Sequence, residues 1–307
     1  MNIVYMGTPE FAIPTLEAIY HSHHKISAVV TVPDRQRGRG QKLCTSPVKD
    51  FAIARGITVL QPERLKSNEF TNRITEISPD LIVVVAFRIL PERIISIPRY
   101  GAINLHASLL PKYRGAAPIN RAIMNGETET GVTTFFLDKN VDTGNIILQE
   151  KIQICDDDNA TTLHDKLKLL GAEVVLRTLE LIESGNYTLQ KQRDVSATMA
   201  PKIFKEDCRI DWSQNAISIH NKIRGLSLYP AAWTTFNGKT IKIFSSKITA
   251  LPSPSESGKI VINDKKLFVH TIDLLIEVTE LQLEGKSKVT AHDFINGLRE
   301  KSNLFFR

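Results

Sequence analysis

Cysteine is scarce in this chain. The three residues, Cys44, Cys155 and Cys208, are scattered and odd in number. No two stand at metal-ligand or redox spacing, which argues against a disulfide scaffold and for a reducing compartment. Long apolar runs are missing too: nothing approaches the ~20 residues that span a bilayer. The N-terminus runs straight into a strand-like segment, Asn2 to Met6, without the basic stretch and apolar run of a secretory signal. A cytoplasmic protein without membrane contact is expected. The sequence also lacks repeats, low-complexity tracts and a large excess of one charge. Its 39 Lys and Arg against 33 Asp and Glu leave a net +6, which permits an anionic partner without demonstrating one. With 307 residues, 42% hydrophobic and 23% charged, the composition is that of a globular chain long enough for two domains.

What is present in the first half is alternation. Ile3 to Met6, Ile26 to Val32, Leu81 to Val85, Ala102 to Leu105 and Val132 to Leu137 are strand-like, and Phe11 to Tyr20 repeats apolar residues at helical spacing. The continuous β-branched run at Leu81–Val85 suits a strand buried on both faces. Strand and helix in alternation imply a Rossmann-like α/β domain with a parallel sheet, whose ligands bind at the carboxyl ends of strands. The places to look are therefore just after Met6, Val32, Val85 and Leu105. Ala160 to Ser184 reads as one long helix, opened by Thr161 or Thr162 and closed near Gly185. Beyond a polar, basic stretch and a helix to about Arg224, short strands broken by Asn237-Gly238, Pro252, Pro254, Gly258, Asn263-Asp264 and Gly285 predict a small β-barrel. The expected division is a catalytic domain at 1–188, a linker at 189–205 and an OB-like β-barrel domain at 206–307.

The turn Met6-Gly7-Thr8-Pro9-Glu10-Phe11 lacks the spacing of a dinucleotide site, and Pro9 removes an amide that a phosphate could use. It reads as a tight strand-to-helix turn. Asn104-Leu105-His106 is more informative. Alternation puts Asn104 and His106 on one face at a strand's carboxyl end, and an amide beside an imidazole can hold a developing oxyanion and move a proton. Alone, His106 reads better as a core histidine satisfied by the backbone. Asp142, in Val141-Asp142-Thr143-Gly144, reads as a turn residue, or as a carboxylate that returns to His106 and fixes its tautomer. His21, His23 and His24 cluster at a helix end with no carboxylate or cysteine beside them in sequence, so no metal is expected.

Asn104, His106, Ser108-Leu109-Leu110-Pro111 and the later Asp142 resemble the signature of folate-dependent formyltransferases. Gly7 to Ala12, Pro33 to Gly40 with Ser46 to Lys49, Tyr113 to Ile119 and Arg209 to Trp212 are similar to the members that act on methionyl initiator tRNA. The resemblance implies a monomer that carries the formyl group of 10-formyltetrahydrofolate to an α-amine. Asn104, His106 and Asp142 would be catalytic. Ser108, Leu109, Leu110 and Pro111, with Ile89 and Leu90, would shape the folate site. Arg35, Arg37, Arg39 and Lys42, with Lys202 further on, would contact the tRNA. Charge alone leaves the arginine-rich loop a solvated surface; the resemblance assigns it to RNA. Ala86-Phe87-Arg88-Ile89-Leu90-Pro91 is one residue shorter than the family's form, and Arg88 is read as pointing to solvent. A formyltransferase of nucleotide-linked amino sugars is the alternative enzyme. A basic RNA-binding protein on a nucleotide-binding fold leaves Asn104, His106 and Asp142 unexplained.

Overall fold

Ile3 to Met6 and Leu81 to Val85 are apolar at every position, and a strand apolar on both faces must be covered on both. The computed structural model describes residues 1–37, 42–300 and 302–307, with the backbone alone of Arg37 and Lys42. The chain runs through β1 (Asn2–Gly7), α1 (Ile13–Tyr20), β2 (Lys25–Val30), β3 (Arg35–Arg37), β4 (Lys42–Cys44), α2 (Pro47–Ala54), β5 (Val59–Leu60), α3 (Asn68–Ile77), β6 (Leu81–Val85), α4 (Glu92–Ile95) and β7 (Ala102–His106). It continues through β8 (Arg114–Gly115), α5 (Pro118–Met124), β9 (Glu129–Phe136), β10 (Ile146–Gln153), α6 (Ala160–Ser184) and β11 (Met199–Ala200). Last come α7 (Ala216–Leu226), β12 (Ala232–Phe236), β13 (Lys239–Pro252), β14 (Ile260–Asn263), β15 (Lys266–His270), β16 (Leu274–Leu283), β17 (Val289–Thr290) and α8 (Ala291–Asn296).

These elements form two units. The first holds Met1–Gly115, Thr130–Gln153 and His164–Ala200; the second holds Ala116–Glu129, Ile154–Leu163 and Pro201–Arg307. The first unit carries a mixed seven-stranded sheet in the order β10-β9-β7-β6-β1-β2-β5. β7, β6, β1, β2 and β5 are parallel, and β9 lies antiparallel to β7. From β1 the chain builds outward through β2 to β5, then returns to the other side of β1 with β6. That reversal opens a crevice at the carboxyl ends of the strands. On one face Val4, Met6, Ala28, Val30, Ile82, Val84 and Ala102 pack against Phe70, Ile74 and Ile94. Asn104 and His106 continue the face of Ala102 by strand alternation.

Two readings change at α6 and after it. Asn159, not a threonine, opens the helix: its Oδ1 accepts from Thr161 N at 2.9 Å and Thr162 N at 3.1 Å. Gly185, at φ +69°, closes it in the left-handed conformation that glycine adopts without penalty. The segment expected as a linker at 189–205 is bonded into the first unit as far as Ala200. Gln190 N donates to Ile146 O, and Ile146 N to Gln190 O, both at 2.9 Å; β11 pairs with β8; Gln192 is buried. The second unit also takes residues from the middle of the chain. α5 packs on α7, where Asn120 Nδ2 donates to Gly225 O at 2.8 Å, and a Cβ on Gly225 would come within 2.6 Å of Met124 Cγ.

In the second unit, β12-β13-β16-β15-β14 form an antiparallel sheet with β17 beside β16. Where a closed barrel was expected, β12 and β14 do not pair directly. Instead the segment 304–307 is hydrogen-bonded to both edges. Arg307 exchanges two bonds with Thr235 at 2.8 and 2.9 Å, Phe306 N donates to Gly258 O at 2.8 Å, and Ile260 N donates to Leu304 O at 2.8 Å. Phe306, 1% exposed, stacks on Trp212 with centroids 5.7 Å apart and meets Phe236 edge-on at 5.8 Å. Truncating a buried aromatic costs about 3–5 kcal/mol. Phe306→Ala should therefore lower the stability of the second unit by about that amount. Both tryptophans, Trp212 and Trp233, lie in this unit, so denaturant unfolding followed by tryptophan fluorescence reads it directly. An unchanged midpoint would show that the C-terminal segment does not hold the sheet.

Candidate active site

β7 delivers Asn104 and His106 to the carboxyl end of the sheet, with Asn104 in register between Val84 of β6 and Phe135 of β9. Asn104 is half-buried, and its amide has no side-chain hydrogen bond among the described residues. His106 is 6% exposed. Its Nε2 lies 2.8 Å from the Tyr113 carbonyl. A carbonyl only accepts, so Nε2 carries the hydrogen, and in the neutral ring Nδ1 keeps the lone pair. Nδ1 lies 3.7 Å from Asp142 Oδ2, outside hydrogen-bonding distance but close enough to stabilise an imidazolium. The backbone therefore sets the tautomer, a task expected of Asp142. The backbone thus satisfies His106 at Nε2, while Nδ1 faces the Asp142 carboxylate.

Asp142 is 9% exposed and sits at φ 56°, a left-handed conformation uncommon outside glycine. Its Oδ2 accepts from Gly115 N at 2.8 Å. Two residues on, the backbone of Gly144 passes so close to β9 that a Cβ there would lie 1.7 Å from Phe136 O. No other residue fits this turn without moving the strand.

The residues expected to shape the folate site divide. Ser108 is fully buried, and its hydroxyl donates to Lys112 O at 2.6 Å. Leu110 packs with Phe135 and Ile146, and Leu90 joins the core beneath α3 and α4. Leu109 and Pro111 are half-buried, while Ile89 is 75% exposed. Two residues not singled out in the sequence hold the 108–111 segment. Thr133 Oγ1 donates to Ser108 O at 2.6 Å and accepts from Leu110 N at 3.1 Å, and Gln149 Nε2 donates to Leu110 O at 2.9 Å. Alternation along β9 placed Thr133 opposite His106, which was the available signal; nothing local marked Gln149.

Arg88 does not point to solvent. Its guanidinium donates to Pro62 O at 2.8 Å and Glu63 O at 3.1 Å and lies over the Phe87 ring. It clamps the 86–91 segment to the loop after β5. In the arginine-rich segment, β3 and β4 pair antiparallel. Arg35 is exposed, as is Lys202 in the second unit. Arg39 lies outside the described residues, and Arg37 and Lys42 are described by backbone only. Lys49 is engaged by the Asp34 carboxylate. Lys49, and after it Gln61, hold that carboxyl below the usual carboxylate range.

Residues 1–179 match the family model described as formyl transferase, and residues 202–299 match that of the formyl transferase C-terminal domain. A methionyl-tRNA formyltransferase of Caldanaerobacter subterraneus subsp. tengcongensis is 47% identical over 299 residues, covering 97% of each chain. One from Geobacter metallireducens is 46% identical over 301 residues, covering 97% of this chain and 96% of that protein. Among solved structures, an N-formyltransferase from Helicobacter canadensis in complex with folinic acid and dTDP-3-aminofucose superposes with a TM-score of 0.68. Its identity is 24%, over 90% of this chain and 98% of that one, a likeness of fold.

Apart from this site, the structure supplies the carboxylate that the histidine cluster lacked in sequence. Glu183, at the end of α6, lies 2.7 Å from His23 Nε2 and 3.1 Å from the Met1 amine, which in turn sits 3.2 Å from His24 Nδ1. His23, His24 and Glu183 could together hold a metal ion, but the ammonium already lies between His24 and Glu183 as their cation. His23 and the ammonium bring the Glu183 pKa from 4.5 to about 2. A depressed carboxylate pKa stabilises the fold fully above the unfolded value and loses that contribution as pH falls through the folded one. Burial, then the charges of His23 and Met1, lower the His24 pKa below 6.5, which also makes acid destabilising. Denaturant midpoints of Glu183→Gln should fall less than those of the unaltered protein between pH 4.5 and about 2. Equal losses would show that the cluster contributes nothing to acid stability.

Proposed function

The chain belongs to the formyl transferase family, and from that membership and the geometry at the end of β7 we propose its reaction and the residues that perform it. It transfers the formyl group of 10-formyltetrahydrofolate to the α-amino group of methionyl initiator tRNA, the charged tRNA that starts translation. Near-full-length identity to relatives named for this activity supports the substrate pair. The observation that carries the chemistry is the division of labour on His106, with Nε2 fixed on a backbone carbonyl and Nδ1 beside a buried carboxylate.

An α-amine has a pKa of about 7.7–8.0, so a useful fraction is neutral at physiological pH. The neutral amine attacks the formyl carbon, leaving negative charge on the formyl oxygen and positive charge on the attacking nitrogen. The amide of Asn104, which has no side-chain hydrogen bond among the described residues, donates to that oxygen. The lone pair on His106 Nδ1 takes the proton shed by the nitrogen, directly or through water. The imidazolium so formed has Asp142 at 3.7 Å to stabilise it, and its new Nδ1–H becomes a second donor at the site. Collapse of the intermediate breaks the bond to N10 of the folate, and the proton goes to N10. Ile89, exposed beside the Arg88 clamp, and Leu109 are the side chains proposed to meet the folate; Ser108, Leu110, Pro111 and Leu90 act by shaping the backbone. Arg35, Arg37, Arg39, Lys42 and Lys202 contact tRNA phosphates.

Loss of one oxyanion donor costs about 10²–10³ in turnover. His106→Ala and Asp142→Asn should each lower kcat by at least about a hundredfold while tRNA binding is retained. Formyl transfer assayed on initiator methionyl-tRNA, elongator methionyl-tRNA and an amino-sugar nucleotide tests the substrate; transfer to the sugar alone would replace this reading. For the RNA interface, the double variant Arg35→Ala, Lys202→Ala should raise the KM for tRNA. Each cation taken away from a phosphate should also flatten the log–log salt dependence by about 0.7–0.9. An unchanged slope would remove these residues from the interface.

A further inference from the structure

Asp142 is held in a left-handed conformation, and something must keep it there. The two buried carbonyls of its turn, Asp142 O and Gly144 O, both accept from one side chain, Gln192 Nε2, at 2.9 and 2.8 Å. The other end of that carboxamide, Oε1, accepts from Arg114 Nε at 3.0 Å. Both carbonyls can only accept and the guanidinium can only donate, so the amide fits in one orientation alone. Gln192 and Arg114 are each 7% exposed. Arg114 is anchored by Asp194 at 2.9 Å, and the backbone on either side of it serves the same site. Tyr113 O fixes His106 Nε2, and Gly115 N donates to Asp142 Oδ2.

We propose that Gln192 is a positioning residue of the transfer reaction, and that its carboxamide, oriented by Arg114, fixes the Asp142–Gly144 turn so that the Asp142 carboxylate faces His106 Nδ1. The proposal rests on the catalytic role of Asp142 proposed above. It assigns a mechanistic task to a residue of the segment that follows α6, some fifty positions from the carboxylate it serves. Gln192 touches neither the His106 ring nor the Asn104 amide among its hydrogen bonds, and its two donors are both spent on the turn that carries Asp142.

The test uses the full chain with the formyl donor and charged initiator tRNA. Gln192→Glu keeps the volume and the bond from Arg114 but turns a double donor into an acceptor facing two carbonyls. It should lower kcat between about tenfold and a hundredfold, as a small misplacement of a reacting group does, with both KM values within about twofold. If Gln192→Glu fails to fold, Gln192→Met, which removes the two N–H groups and keeps the length, carries the same expectation. The kcat–pH profile of either variant should move toward that of Asp142→Asn. In the Asp142→Asn background, adding Gln192→Met should change kcat by less than about twofold, because the group it positions is gone. Normal kcat in the Gln192 variants beside a slow Asp142→Asn overturns the proposal alone. So does a double variant whose losses multiply. Normal turnover in Asp142→Asn overturns the catalytic role of Asp142 and this proposal with it.

Discussion

A carboxylate placed inside a protein is costly unless its lone pairs are met and a counter-charge is at hand. Asp142 meets the first through a backbone N–H and has a counter-charge only when His106 is protonated. Its Oδ2 takes the N–H of Gly115, and its own main chain is turned into a left-handed position with carbonyls that still need donors. The parts of the first unit near the site are arranged around that requirement. The strand after Tyr113 must run close enough to offer Gly115 N, which also sets Tyr113 O against His106. Gly144 must be bare to pass Phe136. A side chain from the segment after α6 must reach in to satisfy the turn's carbonyls.

Much of this was legible in the sequence, where periodicity was strong. The apolar runs at Ile3–Met6 and Leu81–Val85 became the paired central strands of the sheet, and alternation placed Asn104 and His106 together at a strand end. Ala160–Ser184 is helical over the span that was read. The misreadings share a physical cause. Asn159 caps α6 because its side chain reaches two amides, those of Thr161 and Thr162 themselves, that a threonine two or three positions later cannot. The polar run at 189–205 looked like a linker because polarity alone does not show which amide is buried. Gln192 is as hydrophilic as its exposed neighbours Lys191 and Arg193, and only tertiary contacts distinguish it. Arg88 looked like a solvated charge, yet planar guanidinium N–H groups suit a pair of adjacent carbonyls. The carboxylate partner of His23 comes from Glu183, 160 positions away, beyond any local pattern.

The second unit solves a different problem, that of open sheet edges. β12 and β14 would each present unpaired N–H and C=O groups, a template for association with other chains. The segment 304–307 occupies both edges while Phe306 fills the apolar space between Trp212 and Phe236. Hydrogen bonding and core packing are thus supplied by the same four residues, and each makes the other's geometry obligatory.

The strand order of the first unit also has a kinetic side. β1 is central: β2 pairs with one edge and β6 with the other. Its first partner follows within a short span of chain, but the second is Leu81–Val85. During synthesis one edge of a largely apolar strand therefore stays open until β6 has left the ribosome. Closing that gap means bringing distant segments together, which slows folding relative to local pairing. Over that interval β1 and β2 form a half-finished sheet with one edge unpaired and apolar side chains uncovered, a species open to association with other chains.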